Sequence, residues 1–124
     1  MNLFVVGINH KTAPVEIRER FSFGPRAIAD ASRLLKERAG LQESLILSTC
    51  NRVEIYAVGN GNGFDHPAAT KDFLSEFHKV SLVDFESRFY VYKNEDTVRH
   101  LFKVASGLDS MVIGEVEILG QVKK

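Results

Sequence analysis

The order in which strand-like and helix-like apolar patterns follow one another constrains this 124-residue chain more than any other feature. Residues 3–8 form a run of branched and aromatic side chains that reads as a buried strand. A polar loop, 9–14, leads to a short helix over 15–21 with Pro14 just before it. Pro25 opens a clearer helix over 25–38. Its apolar positions Ile28, Ala31, Leu34 and Leu35 recur at helical spacing, and Gly40 is placed to end it. Strands are expected over 44–48 and 52–58, and a third helix over 68–78 with Ala69, Phe73, Leu74 and Phe77 inward. A strand over 88–92 follows. Asn94 is expected to cap a helix over 95–106 whose inward stripe is Val98, Leu101, Phe102 and Ala105. Residues 107–114 read as a loop or broken helix, and 115–124 as helical again.

That order is β, α, β, β, α, β, α, and its first six members spell the split βαβ, or ferredoxin-like, pattern. The expected fold is therefore an α+β sandwich: a four-stranded, mainly antiparallel sheet with helices on one face. The last segment is an amphipathic helix without a cap or a tail. It is expected to lead into a domain that this chain lacks, which makes 1–124 a fragment.

Sixteen basic and sixteen acidic residues cancel, whereas a domain that grips nucleic acid by charge alone is more basic. The balance is uneven. Residues 10–38 carry seven Lys/Arg against four acids, a net of +3, and 40–124 carry nine against twelve, a net of −3. The basic edge reads as solvated helix faces or as a weak contact to a phosphate backbone. No apolar run approaches the roughly 20 residues of a membrane span. The N-terminal residues lack a basic n-region, and the single cysteine permits no internal disulfide. A cytoplasmic protein is expected.

The stretch richest in chemistry is Ser48-Thr49-Cys50-Asn51-Arg52-Val53-Glu54-Ile55-Tyr56. Side chains of a strand alternate between faces. A strand starting near Cys50 puts Cys50, Arg52, Glu54 and Tyr56 on one face, and Asn51, Val53, Ile55 and Ala57 on the core face. A thiol, a guanidinium and a carboxylate then project together. The plainer alternative is a buried cysteine ending a strand beside a surface Arg/Glu pair. His100 falls off the apolar stripe of its helix and reads either as a solvated histidine or as a proton-transfer group aimed at a ligand. His10, His66 and His78 have no ligand partners at usable spacing, so no metal site is expected. The glycines of 59–63 are followed by no Gly-Lys-Ser/Thr, which excludes a P-loop.

Four motifs in order resemble one family: Gly7-Ile8-Asn9-His10-Lys11-Thr12-Ala13-Pro14, the segment from Ser48 to Tyr56, Ala105-Ser106-Gly107-Leu108-Asp109-Ser110, and Ile118-Leu119-Gly120-Gln121-Val122-Lys123. Taken together they resemble the N-terminal catalytic domain of glutamyl-tRNA reductases, enzymes of the five-carbon route to tetrapyrroles. The resemblance covers the whole chain. It implies that Cys50 is the nucleophile and His100 the family's important histidine. It implies substrate-binding positions at Thr49, Asn51, Arg52, Ser110, Glu115 and Gln121, with Val116 and Glu117 standing where the family often has Pro-Gln. Glu117 thus replaces a neutral amide with a carboxylate.

The resemblance also implies a mechanism. The Cys50 thiolate attacks the ester joining glutamate to tRNA, and NADPH reduces the resulting thioester to glutamate-1-semialdehyde. Arg52 offers a planar fork to the γ-carboxylate of the substrate. NADPH would be bound by a domain not in this chain, and a helical dimerisation domain would make the whole enzyme a homodimer. The next pathway enzyme, glutamate-1-semialdehyde aminomutase, is a possible contact. A competing expectation, from another class, is a non-catalytic ferredoxin-like binding or regulatory module with a structural cysteine.

Overall fold

A computed structural model describes residues 2–61 and 64–107. Strand β1 (Leu3–Asn9) lies between β3 (Arg52–Gly59) and β4 (Tyr90–Lys93), antiparallel to both. Strand β2 (Leu41–Ser48) pairs antiparallel with β3, so the sheet order is β2-β3-β1-β4. Each crossover therefore skips one strand. β3 separates β1 from β2, and β1 separates β3 from β4, the interleaving of the split βαβ pattern.

Helices α1 (Val15–Phe21), α2 (Pro25–Ala39) and α3 (His66–His78) cover one face. Phe4, Val6 and Ile8 of β1 and Val53, Ile55 and Ala57 of β3 point into that layer, against Phe21, Leu35, Phe73 and Leu74. Full burial of such a side chain contributes about 1.5–3 kcal/mol, so this layer forms the main apolar core. Pro25 stands in the first turn of α2, where its missing N–H has no helical partner to lose. Gly40 ends α2 as expected, in the left-handed region (φ 64°, ψ 46°). Asp65 caps α3 by accepting the Ala68 N–H at 3.0 Å.

The expectation of helices on one face holds for these three and fails for α5 (Glu95–Ala105). That helix crosses the opposite face, where Val104 and Leu101 pack with Val5, Leu47 and Tyr56. Its expected inward stripe is also displaced. Thr97, His100 and Val104 are buried, whereas Val98 and Phe102 are 41% and 70% exposed. The sheet face beneath α5 carries Arg52, Glu54 and Tyr56, all buried. A carboxylate held there needs donors, and the helix meets it with His100 rather than with its apolar stripe.

Boundaries differ in smaller ways. β2 begins at Leu41, its ladder irregular between Leu41 and Glu43. A short helix α4 (Leu82–Phe85) and a 3₁₀ turn (Glu86–Arg88) fill the stretch before β4, which starts at Tyr90 instead of 88. Asn94 makes no side-chain cap. It sits at φ 50°, and the acidic first turn, Glu95 and Asp96, suits the helix dipole instead. The expected helix over 115–124, and nearly all of the loop over 107–114, lie outside the described residues.

Candidate active site

The segment Thr49 to Asn51 is the turn of the β2–β3 hairpin, not the start of a strand. The Thr49 N–H donates to the Arg52 carbonyl at 2.9 Å and closes the turn. The Thr49 hydroxyl oxygen accepts the N–H groups of Asn51 and Arg52, at 3.2 and 3.3 Å. Thr49 and Asn51 are buried, while Cys50 between them is exposed. A buried structural cysteine is therefore not what the fold contains. Since β3 begins at Arg52, strand alternation does not reach Cys50, and the shared face expected for thiol and guanidinium is not formed by the strand. Instead Cys50 lines a cavity of about 280 Å³ on the α1 side, with Arg18, Glu19, Ser22, Ser48 and Thr49.

The other expected face-mates do alternate together. Arg52, Glu54 and Tyr56 point beneath α5 and are almost wholly withdrawn from solvent. Glu54 is the hub. One carboxylate oxygen accepts from the Tyr56 hydroxyl at 2.8 Å. The other takes Arg52 Nη1 at 3.4 Å, the Tyr90 hydroxyl and His100 Nε2. The His100 ring lies 4.9 and 5.3 Å from the Tyr92 and Tyr90 rings, centroid to centroid. Gly7, paired with Glu54 on one side and Tyr90 on the other, makes this crossing possible. A Cβ there would stand 2.8 Å from Glu54 Cγ and 2.9 Å from the Tyr90 hydroxyl oxygen.

Burial alone would raise the pKa of Glu54. The hydrogen bond and charge of His100, the Arg52 charge and the Tyr90 hydrogen bond outweigh it and hold the carboxyl below its ordinary 4.5. The same cluster acts oppositely on Tyr90. Burial, then the Glu54 charge and hydrogen bond, push its hydroxyl well above the ordinary 10.0. The cluster thus holds an ionised carboxylate, a guanidinium and a neutral phenol around one imidazole.

Of the expected site residues, Cys50 shares a cavity with Thr49, and Arg52 and His100 meet through Glu54. Neither Arg52 nor His100 lines the Cys50 cavity. Ser110, Glu115, Val116, Glu117 and Gln121 lie outside the described residues. Sequence reasoning missed Tyr90, Arg18 and Glu19. Tyr90 was visible only as one aromatic in a strand, and nothing in the spacing tied α1 to the hairpin.

The Gly59 end of β3 does not fit a dinucleotide. A Cβ at Gly59 would collide with the His66 ring, so that glycine serves packing within the chain. The helix that follows already has its N-terminus occupied by the Asp65 carboxylate, which would repel the pyrophosphate that such a terminus otherwise attracts. Among the described residues, no helix is long and apolar enough to cross a membrane.

Comparison with known proteins gives the class first. Glutamyl-tRNA reductase from Methanopyrus kandleri has the same fold at a TM-score of 0.68 and 41% identity, over 98% of this chain and 26% of that one. The family described as "Glutamyl-tRNAGlu reductase, N-terminal domain" matches residues 6–124. Glutamyl-tRNA reductase of Thermodesulfovibrio yellowstonii is 51% identical over 131 residues, covering all of this chain and 30% of the relative. Glutamyl-tRNA reductase 2 of Koribacter versatilis is 48% identical over 125 residues, again covering all of this chain and 28% of the relative. The chain belongs to the family of glutamyl-tRNA reductase N-terminal domains. It spans less than a third of the length of these relatives.

Proposed function

We propose that residues 1–124 form the domain of a glutamyl-tRNA reductase that accepts the glutamyl group, with Cys50 as the nucleophile. The observation that carries this reading is the exposed thiol on a tightly hydrogen-bonded hairpin turn in a chain of this family. Thiolate is the attacking species. Cys50 Sγ bonds to the ester carbonyl carbon, the carbon–oxygen bond to the tRNA ribose breaks, and the leaving alkoxide takes a proton from water. The product is a thioester and free tRNA. The backbone of Thr49 to Arg52 holds the thiol in place, Thr49 and Asn51 flank it as substrate-binding residues, and Arg52, buried on Glu54, anchors the turn from beneath α5. His100 is a positioning residue, tied to Arg52 through Glu54. We assign reduction by NADPH and dimerisation to parts of the enzyme beyond these residues, so the chain's own contribution ends at the thioester.

The test is intact-protein mass spectrometry of this chain after incubation with glutamyl-tRNA. The expected result is release of free tRNA with a glutamyl adduct on Cys50, or glutamate formed by its hydrolysis, and neither in Cys50→Ser. Deacylation that persists in Cys50→Ser would overturn the reading.

A further inference from the structure

We infer that the cavity at the far end of the sheet from Cys50 binds a mononucleotide whose base carries an exocyclic amine, with the amine on His66 and Asp65 and the phosphate on Lys93. The site goes beyond the acyl-acceptor reading and uses none of its residues.

The cavity, of about 340 Å³, lies where β1 begins, β4 ends and α3 starts. His66 lines it and packs on Gly59, the last residue of β3, whereas Cys50 precedes the first. Eight strand residues at roughly 3.3 Å each put about 25 Å between the two places.

His66 is only 4% exposed. Gly59 and Gly40 hold its ring: a Cβ on Gly59 would stand 2.2 Å from Cδ2, and one on Gly40 3.5 Å from Cε1. Nδ1 donates to the Ala39 carbonyl at 2.9 Å, so in the neutral ring Nε2 is an acceptor. Nε2 is buried and has no hydrogen-bond partner. Buried polar atoms are nearly always satisfied, so this one calls for a donor brought from outside. Phe64 meets the imidazole edge-on at 4.9 Å and is itself 54% exposed. A side chain that open changes rotamer freely, which admits a donor to the imidazole.

The rest of the wall selects the ligand. Asp65 uses one carboxylate oxygen on the Ala68 N–H and leaves the other to accept. An exocyclic amine brings two N–H groups, one for each acceptor. Phe64 and Pro67 give a flat ring an apolar surface to stack on. Lys93, exposed at the end of β4, supplies a cation. The Asp65 charge turns an anion away from the α3 N-terminus, so the base goes to α3 and the phosphate to Lys93. The volume is at the low end for ligand cavities, which suits a mononucleotide and excludes a dinucleotide.

The test is isothermal titration calorimetry of this chain with AMP. IMP, with a carbonyl oxygen in place of the amine, and ribose 5-phosphate, with no base, are run beside it. AMP is expected to bind roughly tenfold more tightly than either, the factor for one hydrogen bond to a buried acceptor. Lys93→Met, a surface change, is expected to weaken AMP about tenfold and to leave adenosine unaffected. His66→Asn keeps a donor for the Ala39 carbonyl and removes Nε2, so AMP and IMP should become equal. Circular dichroism checks its fold; if that variant unfolds, the wild-type AMP/IMP ratio and the Lys93 result decide alone. No AMP binding at millimolar concentration overturns the inference. So does IMP or ribose 5-phosphate binding as tightly as AMP, or Lys93→Met binding AMP like the wild type. The acyl-acceptor reading stands or falls apart from this, because Cys50-dependent release of tRNA is expected unchanged in Lys93→Met.

Discussion

His100 of α5 and Glu54 of β3, 46 residues apart in the chain, are hydrogen-bonded between Nε2 and one carboxylate oxygen. That bond ties a helix to a sheet face that would otherwise bury an acid against apolar Val104 and Leu101. It also joins the histidine to Arg52, which follows Cys50 by two positions.

Glu54→Gln should destabilise the fold severely. The amide presents one acceptor oxygen and two N–H donors where four donors now converge on a carboxylate. Breaking a buried pair in this way costs about 3–5 kcal/mol. Urea unfolding should show a lower midpoint with an unchanged slope. A loss within the range of an ordinary surface change would show that the cluster does not hold α5.

The acid limb of stability follows from the same carboxyl. Its folded pKa is below 4.5, so its contribution is complete above the unfolded value near 4.5. The contribution is lost as pH falls from 4.5 through the lower folded value. Wild-type unfolding free energy should drop over that window, and Glu54→Gln should lack that part of the slope. Parallel acid limbs in the two proteins would contradict the assignment.

Tyr90→Phe should remove one donor from Glu54 and cost about 1.5–3 kcal/mol, the range for a hydrogen bond to a charged group. In the wild type, Tyr90 is expected to ionise well above 10.0. Its neutral form therefore stabilises the fold below 10.0, and that contribution is lost as pH rises through the folded value. Phenolate absorbance across an alkaline titration should show a late-titrating tyrosine that is missing from the variant.

Gly7→Ala should strain the cluster without touching any charge. The added methyl meets both Glu54 Cγ and the Tyr90 hydroxyl at under 3 Å, and overpacking of this kind costs about 1–3 kcal/mol. The Gly7→Ala and Tyr90→Phe effects should fail to add, since both act on one contact. Strict additivity in thermal unfolding would place the Tyr90 ring elsewhere.

Thr49→Val should loosen the turn that presents Cys50. The change keeps the shape and removes the oxygen that accepts the Asn51 and Arg52 N–H groups. Loss of about 1–3 kcal/mol is expected from two buried donors left unmet. The rate of Cys50 alkylation by iodoacetamide should change with it, whereas the sheet, read by far-UV circular dichroism, should not.

Strand alternation over 52–57 predicts which side chains meet the main core, and Val53, Ile55 and Ala57 do so. It does not predict that the other face is covered. That depends on α5, whose His100 is 46 residues from Glu54 in the chain, so Arg52 and Glu54 read as surface residues until the helix is docked. His100 is the converse. Helical spacing puts it opposite Val98 and Phe102, and that geometry is right, whereas Leu101 of the same expected stripe packs with Val104 on the sheet side. Which side faces the sheet is decided by the acceptor waiting on β3.

Local chemistry was therefore settled by the sequence alone. Pro25 and Gly40 bound α2, period-two runs mark the central strands, and the β, α, β, β, α, β order fits an interleaved antiparallel sheet. These features act over a few residues, through φ/ψ preferences and the repeat of the backbone. Only the tertiary structure decided that Cys50 faces α1 while Arg52 faces α5, and that Tyr90, Arg52, Tyr56 and His100 share one carboxylate. A hairpin turn breaks side-chain alternation. A buried charge, too, takes its partners from whichever elements the topology brings within hydrogen-bond reach, and no local pattern in the sequence encodes that choice.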